Sequence, residues 1–334
     1  MNSGSWGFCI VWLAPSVAGQ SLKYNTRNTL KPSLQPLYIC GPTASGKSSH
    51  ALTLAREFNG EIVNGDALQL YRGIETITAS PSEEDRLLAV HHLYGIADPS
   101  ETLNAGQYRT MALTVIESIR ARGKLPIIVG GSGLYLKFLT HGPGNIPAPA
   151  LGLRAQLETL SLDELNARLL EVDPVTAANI DHNNPRYVQR ALEISLSGGD
   201  PASVRRSSFQ APRDALRGIL LTWDPSDLDQ RIRRRTSEML GRNAAEELAA
   251  LPAPGPAVSR AIGVPQIQRL LDGAIDRSTC EEEIVIATRQ YAKRQRTWFR
   301  REGWLTSIPS DESLGTFNDF IPRFGGGIGV TRMI

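Results

Sequence analysis

Residues Gly41–Ser48 read Gly-Pro-Thr-Ala-Ser-Gly-Lys-Ser, the spacing G-x-x-x-x-G-K-[ST]. Those residue types in that order suit one task, which is holding a chain of phosphates. The glycines let the backbone curl until several N–H groups converge on an anion, and a helix starting behind the loop adds its positive end to the field. Lys47 is placed to reach terminal phosphate oxygens, and the Ser48 hydroxyl to ligate Mg²⁺. Gly41, Pro42, Thr43, Ala44, Ser45, Gly46, Lys47 and Ser48 are therefore the candidate phosphate-binding residues, with Ser48 the candidate metal ligand. Loops of this kind serve ATP-binding and other nucleotide-binding proteins, so the pattern fixes a di- or triphosphate without choosing between them.

A second chemical signal lies in Thr288–Arg300. Arg289, Lys293, Arg296 and Arg300 are spaced four, three and four apart, which puts them on one helix face with no acid before Glu302. Tyr291, Gln295 and Trp298 share another face. Such a stripe suits a phosphate backbone, although a solvated basic face gives the same pattern. A further cluster, Arg231, Arg233, Arg234 and Arg235, lies in the same half of the chain and favours nucleic acid. His91 and His92 are adjacent, so they point in different directions and read as structural rather than as a metal pair.

The elements around these residues follow from periodicity. Leu37–Cys40 is a short apolar strand before the phosphate loop, and Ala51, Leu52, Leu54 and Ala55 mark the helix after it. Residues 60–66 form a second strand ending in the carboxylate of Asp66. Helical spacing runs through residues 108–122, and the fully apolar Leu125–Val129 is the kind of strand that sits inside a parallel sheet. It enters Gly130-Gly131-Ser132-Gly133, a tight turn at a strand's carboxyl end, where open α/β sheets place their ligands. The fold class is therefore α/β, a phosphate-loop parallel sheet core with an inserted all-helical subdomain.

The expected core comprises residues 37–142 and 213–304, and residues 143–212 are the helical insertion. Residues 216–223 return to the sheet, and helices follow over residues 227–251 and 278–301. Residues 305–334 carry no periodicity and read as a disordered tail. Residues 1–36 read as an extension or an over-long start: the apolar run at residues 8–14 has no Lys or Arg before it and is too short to span a bilayer.

With 334 residues the chain can bury a sizeable core, and a net charge of +2 means that any nucleic-acid surface comes from local clustering. Cys9, Cys40 and Cys280 have no paired metal spacing, which argues against a disulfide framework and a zinc module and fits a reducing cytoplasm.

Taken in order, Gly41–Ser48, Asp66-Ala67-Leu68-Gln69, Tyr71-Arg72-Gly73, His91-His92-Leu93, Val129–Tyr135, Arg190-Ala191-Leu192-Glu193, Ile262-Gly263 and Thr288–Phe299 resemble the tRNA dimethylallyltransferases of bacterial type. The resemblance covers residues 37 to 304. It implies a tRNA-processing transferase, a prenyltransferase that moves a dimethylallyl group from its diphosphate to the exocyclic amine of the adenosine 3′-adjacent to the anticodon. The implied catalytic residues are Asp66 as general base, Ser132 near the reacting centre, where the family usually has threonine, and Lys47 on the diphosphate. Implied tRNA contacts are Asp66, Ala67, Leu68, Gln69, Arg154, Gln189, Arg190, Ala191, Leu192, Glu193, Arg289, Lys293 and Arg294. Mg²⁺ is the implied cofactor. The expected partners are the anticodon loop of tRNA and dimethylallyl diphosphate, with a monomeric protein and no membrane.

Two positions depart from the family pattern. Thr78-Ala79-Ser80-Pro81 lacks its lysine, and Ile262-Gly263-Val264-Pro265 lacks its tyrosine and basic residue. These departures keep open a tRNA-binding homologue with reduced turnover, and the shared phosphate loop and base keep open a free adenine-nucleotide prenyltransferase. The basic helix argues against the second. Asp66 also has an alternative reading, as a magnesium ligand.

Overall fold

The computed structural model describes residues 34–144, 152–198 and 216–310. Its centre is a six-stranded sheet in the order β3-β2-β4-β1-β5-β6, with every neighbouring pair parallel. The strands are β1 (Leu37–Cys40), β2 (Gly60–Asn64), β3 (His91–His92), β4 (Leu125–Gly130), β5 (Arg217–Thr222) and β6 (Leu305–Pro309).

Each central strand is apolar on both faces because helices cover both. Ile39, Ile62, Ile127, Val129, Ile219 and Leu221 pack with Leu54 of α1 (Lys47–Glu57) on one side. Their alternates Tyr38, Cys40, Val63, Ile128 and Leu220 face the other side, with α4 (Ala105–Ala121) and α5 (Gly133–His141). The period-2 alternation of a strand thus divides the residues between two cores. The helices following β1 and β4 lie on opposite faces, so the adjacent ends of these strands form the crevice in which such sheets bind ligands.

Two short helices, α2 (Glu75–Thr78) and α3 (Glu83–Leu88), connect β2 to β3. Within the span expected as an insertion, α6 (Leu153–Glu158), α7 (Leu162–Val172), α8 (Pro174–Ala177) and α9 (Pro185–Leu196) close around Leu157, Leu165, Leu169, Val188, Ala191 and Leu192. Ser161 opens α7 with a reciprocal capping box to Glu164. Residues 145–151 and 199–215 of that expectation lie outside the described residues, as do residues 1–33 and 311–334.

The chain after β5 differs from the sequence reading in two places. The stretch read as one helix over residues 227–251 is α10 (Pro225–Leu240) and α11 (Ala244–Ala249), broken at Gly241-Arg242-Asn243. They are followed by α12 (Val264–Leu271) and α13 (Arg277–Phe299). The stretch read as the start of a disordered tail instead forms β6, which pairs with β5 from Gly218–Leu305 to Thr222–Pro309. This strand is short and carries one buried apolar residue, Ile308, so periodicity has little to register. Pro309 is tolerated because it closes the last strand of the order, where one edge needs no ladder donor. No helix among the described residues is long and apolar enough to cross a membrane.

Ile308 tests this strand. It is 1% exposed and joins the core beneath α1. Ile308→Ala should cost about 2–4 kcal/mol, the usual range for emptying such a site, and should lower the melting temperature measured by circular dichroism. An unchanged melt would mean that β6 does not belong to the fold in solution.

Candidate active site

The phosphate loop leaves β1 at Gly41 and enters α1 at Lys47. Ala44 is held in the left-handed region at φ 63°, a conformation that costs a non-glycine residue about 1 kcal/mol or more. Several groups hold the loop in that form. Arg231 of α10 donates through Nε to the Ala44 carbonyl at 2.8 Å, and Trp223 donates through Nε1 to the Ser45 carbonyl at 3.0 Å. The Arg231 guanidinium also lies 4.4 Å from the Trp223 ring, a cation–π contact that couples the two supports. Arg235 donates to Thr43 Oγ1 at 2.7 Å and to the Thr78 carbonyl at 3.3 Å. Lys47 Nζ donates to the Pro42 carbonyl at 2.7 Å.

Three cations therefore crowd one loop. Burial lowers the pKa of Arg235 and Arg231 from the ordinary arginine value. Lys47 is lowered to about 8, chiefly by desolvation, with Arg235 adding to the drop and the Asp66 carboxylate opposing it. Cys40, buried beneath the loop, is pushed up to about 12 by the same desolvation and is inert as a nucleophile. A site that assembles desolvated positive charge around converging backbone is built for a polyanion.

The second half of the site comes from β2 and β4. Asp66 follows β2; its backbone N–H donates to Asn64 Oδ1 at 2.8 Å, and its own Oδ1 accepts from Leu68 N–H at 3.2 Å. Asn64 is fully buried and fixes the turn by donating to the Asp66 and Leu93 carbonyls. Ser132 follows β4, and its hydroxyl accepts from Ala67 N–H at 2.9 Å. Asp66 and Ser132 are thus brought to one edge, next to the phosphate loop. Gly130 allows this approach: a Cβ there would lie 2.1 Å from the Gly65 carbonyl carbon.

The other expected site residues are distributed unevenly. Ser48 is exposed on the first turn of α1. Gln69 turns inward and donates to the Thr78 and Ala79 carbonyls at 3.0 and 2.9 Å. Ala191 and Leu192 lie in the apolar core of the helical segment and Glu193 is 2% exposed, so none of the three forms its surface. Glu193 instead receives Arg154 at 2.7 Å and Arg190 at 2.6 Å. Gln189 reaches the Arg154 carbonyl at 3.5 Å. Lys293 and Arg294 are exposed on α13.

The basic stripe keeps its spacing but loses part of its charge. Arg289, Lys293, Arg296 and Arg300 line a groove of about 420 Å³ against Leu228, Asp229 and Ile232 of α10. Asp229 makes a bidentate pair with Arg289, and Glu282, two turns earlier on the same helix, lies 4.0 Å from it. The cluster of arginines 231–235 also separates. Arg233 pairs with Glu282 at 2.8 Å, while Arg231 and Arg235 turn to the phosphate loop, a role not visible in a run of basic residues. Their four-residue spacing on a helix was the only signal in the sequence that could have found them. His91 and His92 are structural: His91 Nδ1 meets the Ala89 carbonyl, and His92 Nε2 meets Glu61.

Residues 69–302 match the family model described as IPP transferase. The chain belongs to the IPP transferase family. It is 42% identical over 278 residues to a tRNA dimethylallyltransferase of Akkermansia muciniphila, covering 83% of this chain and 94% of that protein. A tRNA dimethylallyltransferase of Bordetella petrii is 40% identical, covering 79% and 88%. Among solved structures, the tRNA isopentenylpyrophosphate transferase of Bacillus halodurans superposes with a TM-score of 0.63 at 30% identity, covering 87% and 95%. A eukaryotic dimethylallyltransferase acting on tRNA gives 0.72 at 27% identity, covering 87% and 80%. The chain is accordingly a transferase of the tRNA-modifying prenyltransferase class, on a phosphate-loop α/β fold.

The Lys47 environment has a consequence that binding can measure. The desolvated ammonium begins to lose its proton near pH 8, and a bound polyanion favours the charged form. Binding an organic diphosphate monoester at pH 8.5 should therefore take up a proton, the uptake should vanish well below pH 8, and affinity should fall as pH rises past that point. Calorimetry in buffers of different ionisation enthalpy reads this directly. Equal proton uptake by Lys47→Arg would assign it to another group.

Proposed function

We propose that this chain transfers a dimethylallyl group from dimethylallyl diphosphate to the exocyclic amine of the adenosine 3′-adjacent to a tRNA anticodon. The observation that carries the reading is the meeting of two loops at one sheet edge, a cation-lined phosphate loop and a turn presenting Asp66 beside Ser132. An adenine amine is a weak nucleophile, so the allylic C–O bond must break substantially before the amine attacks. The protein's part is to make the diphosphate a good leaving group and to relieve the amine of its proton.

Lys47, Arg231 and Arg235 bring positive charge to where the bridging oxygen becomes anionic. Their geometry is already set by bonds to the loop, so little reorganisation accompanies the reaction. The Asp66 carboxylate accepts the amine proton, while Leu68 N–H holds one of its oxygens in place. Ser132 orients the Asp66–Ala67 turn through the Ala67 N–H. Extruding the target base from its loop places the amine against Asp66.

The donor set also fits a magnesium ion. The exposed Ser48 hydroxyl opens α1, the buried Ser45 hydroxyl has no protein partner, and Mg²⁺ needs only one or two protein oxygens alongside phosphate and water. Ser48 would hold it, and the ion would supply further charge neutralisation on the diphosphate. The tRNA surface we assign to Lys293 and Arg294, with Arg154, Arg190 and Gln189 on the helical segment. Arg289 we assign to structure, because Asp229 already neutralises it.

Incubating the protein with dimethylallyl diphosphate, Mg²⁺ and unmodified tRNA should yield prenylated adenosine, read by mass spectrometry of the digested tRNA. Modification of free AMP with no reaction on tRNA would replace this reading with nucleotide prenylation. Asp66→Asn should lower turnover by about a hundred- to ten-thousand-fold, the usual contribution of a general base, and leave both substrate affinities within a few-fold. Recovery of the rate at high Mg²⁺ would instead make Asp66 a metal ligand.

The surface assignment makes a separate claim. Lys293→Ala with Arg294→Ala should weaken tRNA binding and reduce the slope of log affinity against log salt by about two. Filter binding across a salt series measures it, and an unchanged slope would return both residues to the solvated face.

A further inference from the structure

Gln295 is the contact that joins the two halves of the site. It comes from α13, outside both loops, and its side chain is 4% exposed. Its Oε1 accepts from Thr43 N–H at 2.8 Å, in the phosphate loop. Its Nε2 donates to the Gly131 carbonyl at 2.9 Å, in the turn that presents Ser132. Tyr291, one turn earlier on α13, lies close to the Ser132 and Gln295 side chains, and burial raises the pKa of its phenol. Ser132 in turn receives the Ala67 N–H beside Asp66. A continuous polar chain therefore runs from the donor loop through one amide to the acceptor side.

The approach leaves room for little else. A Cβ on Gly131 would lie 2.2 Å from Gln295 Nε2 and 3.2 Å from the Gly41 carbonyl oxygen, so the residue there must lack a side chain. A primary amide is the neutral group that offers both an acceptor and a donor at this reach, and both are used. Buried backbone N–H and C=O groups at the two loops would otherwise lose their partner.

We propose that Gln295 is a positioning residue that sets the register between the donor diphosphate and the acceptor base. It touches neither reacting atom. Moving one loop against the other by about 1 Å costs on the order of a hundredfold in a reaction between two bound partners. Each loop alone keeps its own ligands, so the effect falls on turnover rather than on either binding step. The proposal rests on the transfer reaction proposed above, and the wild-type protein serves as the control that separates the two.

Gln295→Met keeps the volume and removes both hydrogen bonds. It should lower kcat by about ten- to a hundredfold, while the Kd for tRNA and for dimethylallyl diphosphate stays within threefold. A kcat within threefold of wild type would overturn the proposal, as would a loss accounted for by donor Kd alone. Wild-type protein inactive on tRNA would instead overturn the reaction assignment.

A double-mutant cycle covers the case in which Gln295→Met folds poorly. Gly131→Ala should displace the amide and lower kcat by a similar factor, and adding it to Gln295→Ala should cost little more. Independent, multiplying losses across that cycle would mean that the two residues do not act through one contact.

Discussion

Two backbones have to come within touching distance at the carboxyl edge of this sheet, and the site exists only because they can. β2 and β4 run parallel with Gly65 and Gly130 side by side, and no side chain fits between them. That closeness lets Ser132 reach the Ala67 N–H and hold the turn carrying Asp66. β1, next to β4 on the other side, delivers the phosphate loop to the same edge. Residues from three strand ends thus share one crevice, although more than twenty residues of chain separate each end from the next.

Charge then determines what the crevice holds. Lys47, Arg231 and Arg235 are drawn out of water around the loop, and the Asp66 carboxylate acts on Lys47 and Arg235. Desolvated like charges oppose folding, and a polyanion relieves that opposition when it binds. The left-handed Ala44 fits the same account, since strain at a functional loop persists only where surrounding contacts over-determine it. Arg231, Arg235 and Trp223 supply those contacts. Two of the three cations consequently serve twice, as supports for the loop and as charge for its ligand.

Much of this was legible in the sequence because the signals are local. A phosphate loop needs its glycines, lysine and serine within eight consecutive positions, and buried parallel strands announce themselves as apolar runs. The parts that stayed hidden depend on partners distant in the chain. β6 carries one buried apolar residue, so its identity as a strand comes from pairing with β5 rather than from its own pattern. Arg289 has only the distant Glu282 along its own helix, yet its bidentate acid stands sixty residues earlier on α10. Arg231 and Arg235 sit in a run of arginines, where their four-residue spacing puts them on one side of α10 but only the course of α10 turns that side to the loop.

Within α13 the two faces of one helix meet different demands. Its inner face meets two constraints at once: Gln295 must satisfy fixed polar groups on two loops, and Ala292 and Phe299 must fill the core. Its outer face presents Lys293 and Arg294 to solvent, with the Arg294 guanidinium 5.8 Å from the Tyr291 ring. On the helical segment the arrangement is the reverse. Glu193, buried at 2% exposure, holds Arg154 and Arg190 in fixed positions, and burial would raise its pKa were the two guanidiniums not holding it down. Two cations on one carboxylate leave a single net positive charge, but one whose geometry is set before any partner arrives. A mobile cation adds long-range attraction that salt screens, whereas a fixed pair adds orientation at less entropic cost. The two surfaces therefore differ in kind: α13 carries solvated charge, and the helical segment carries charge of fixed geometry.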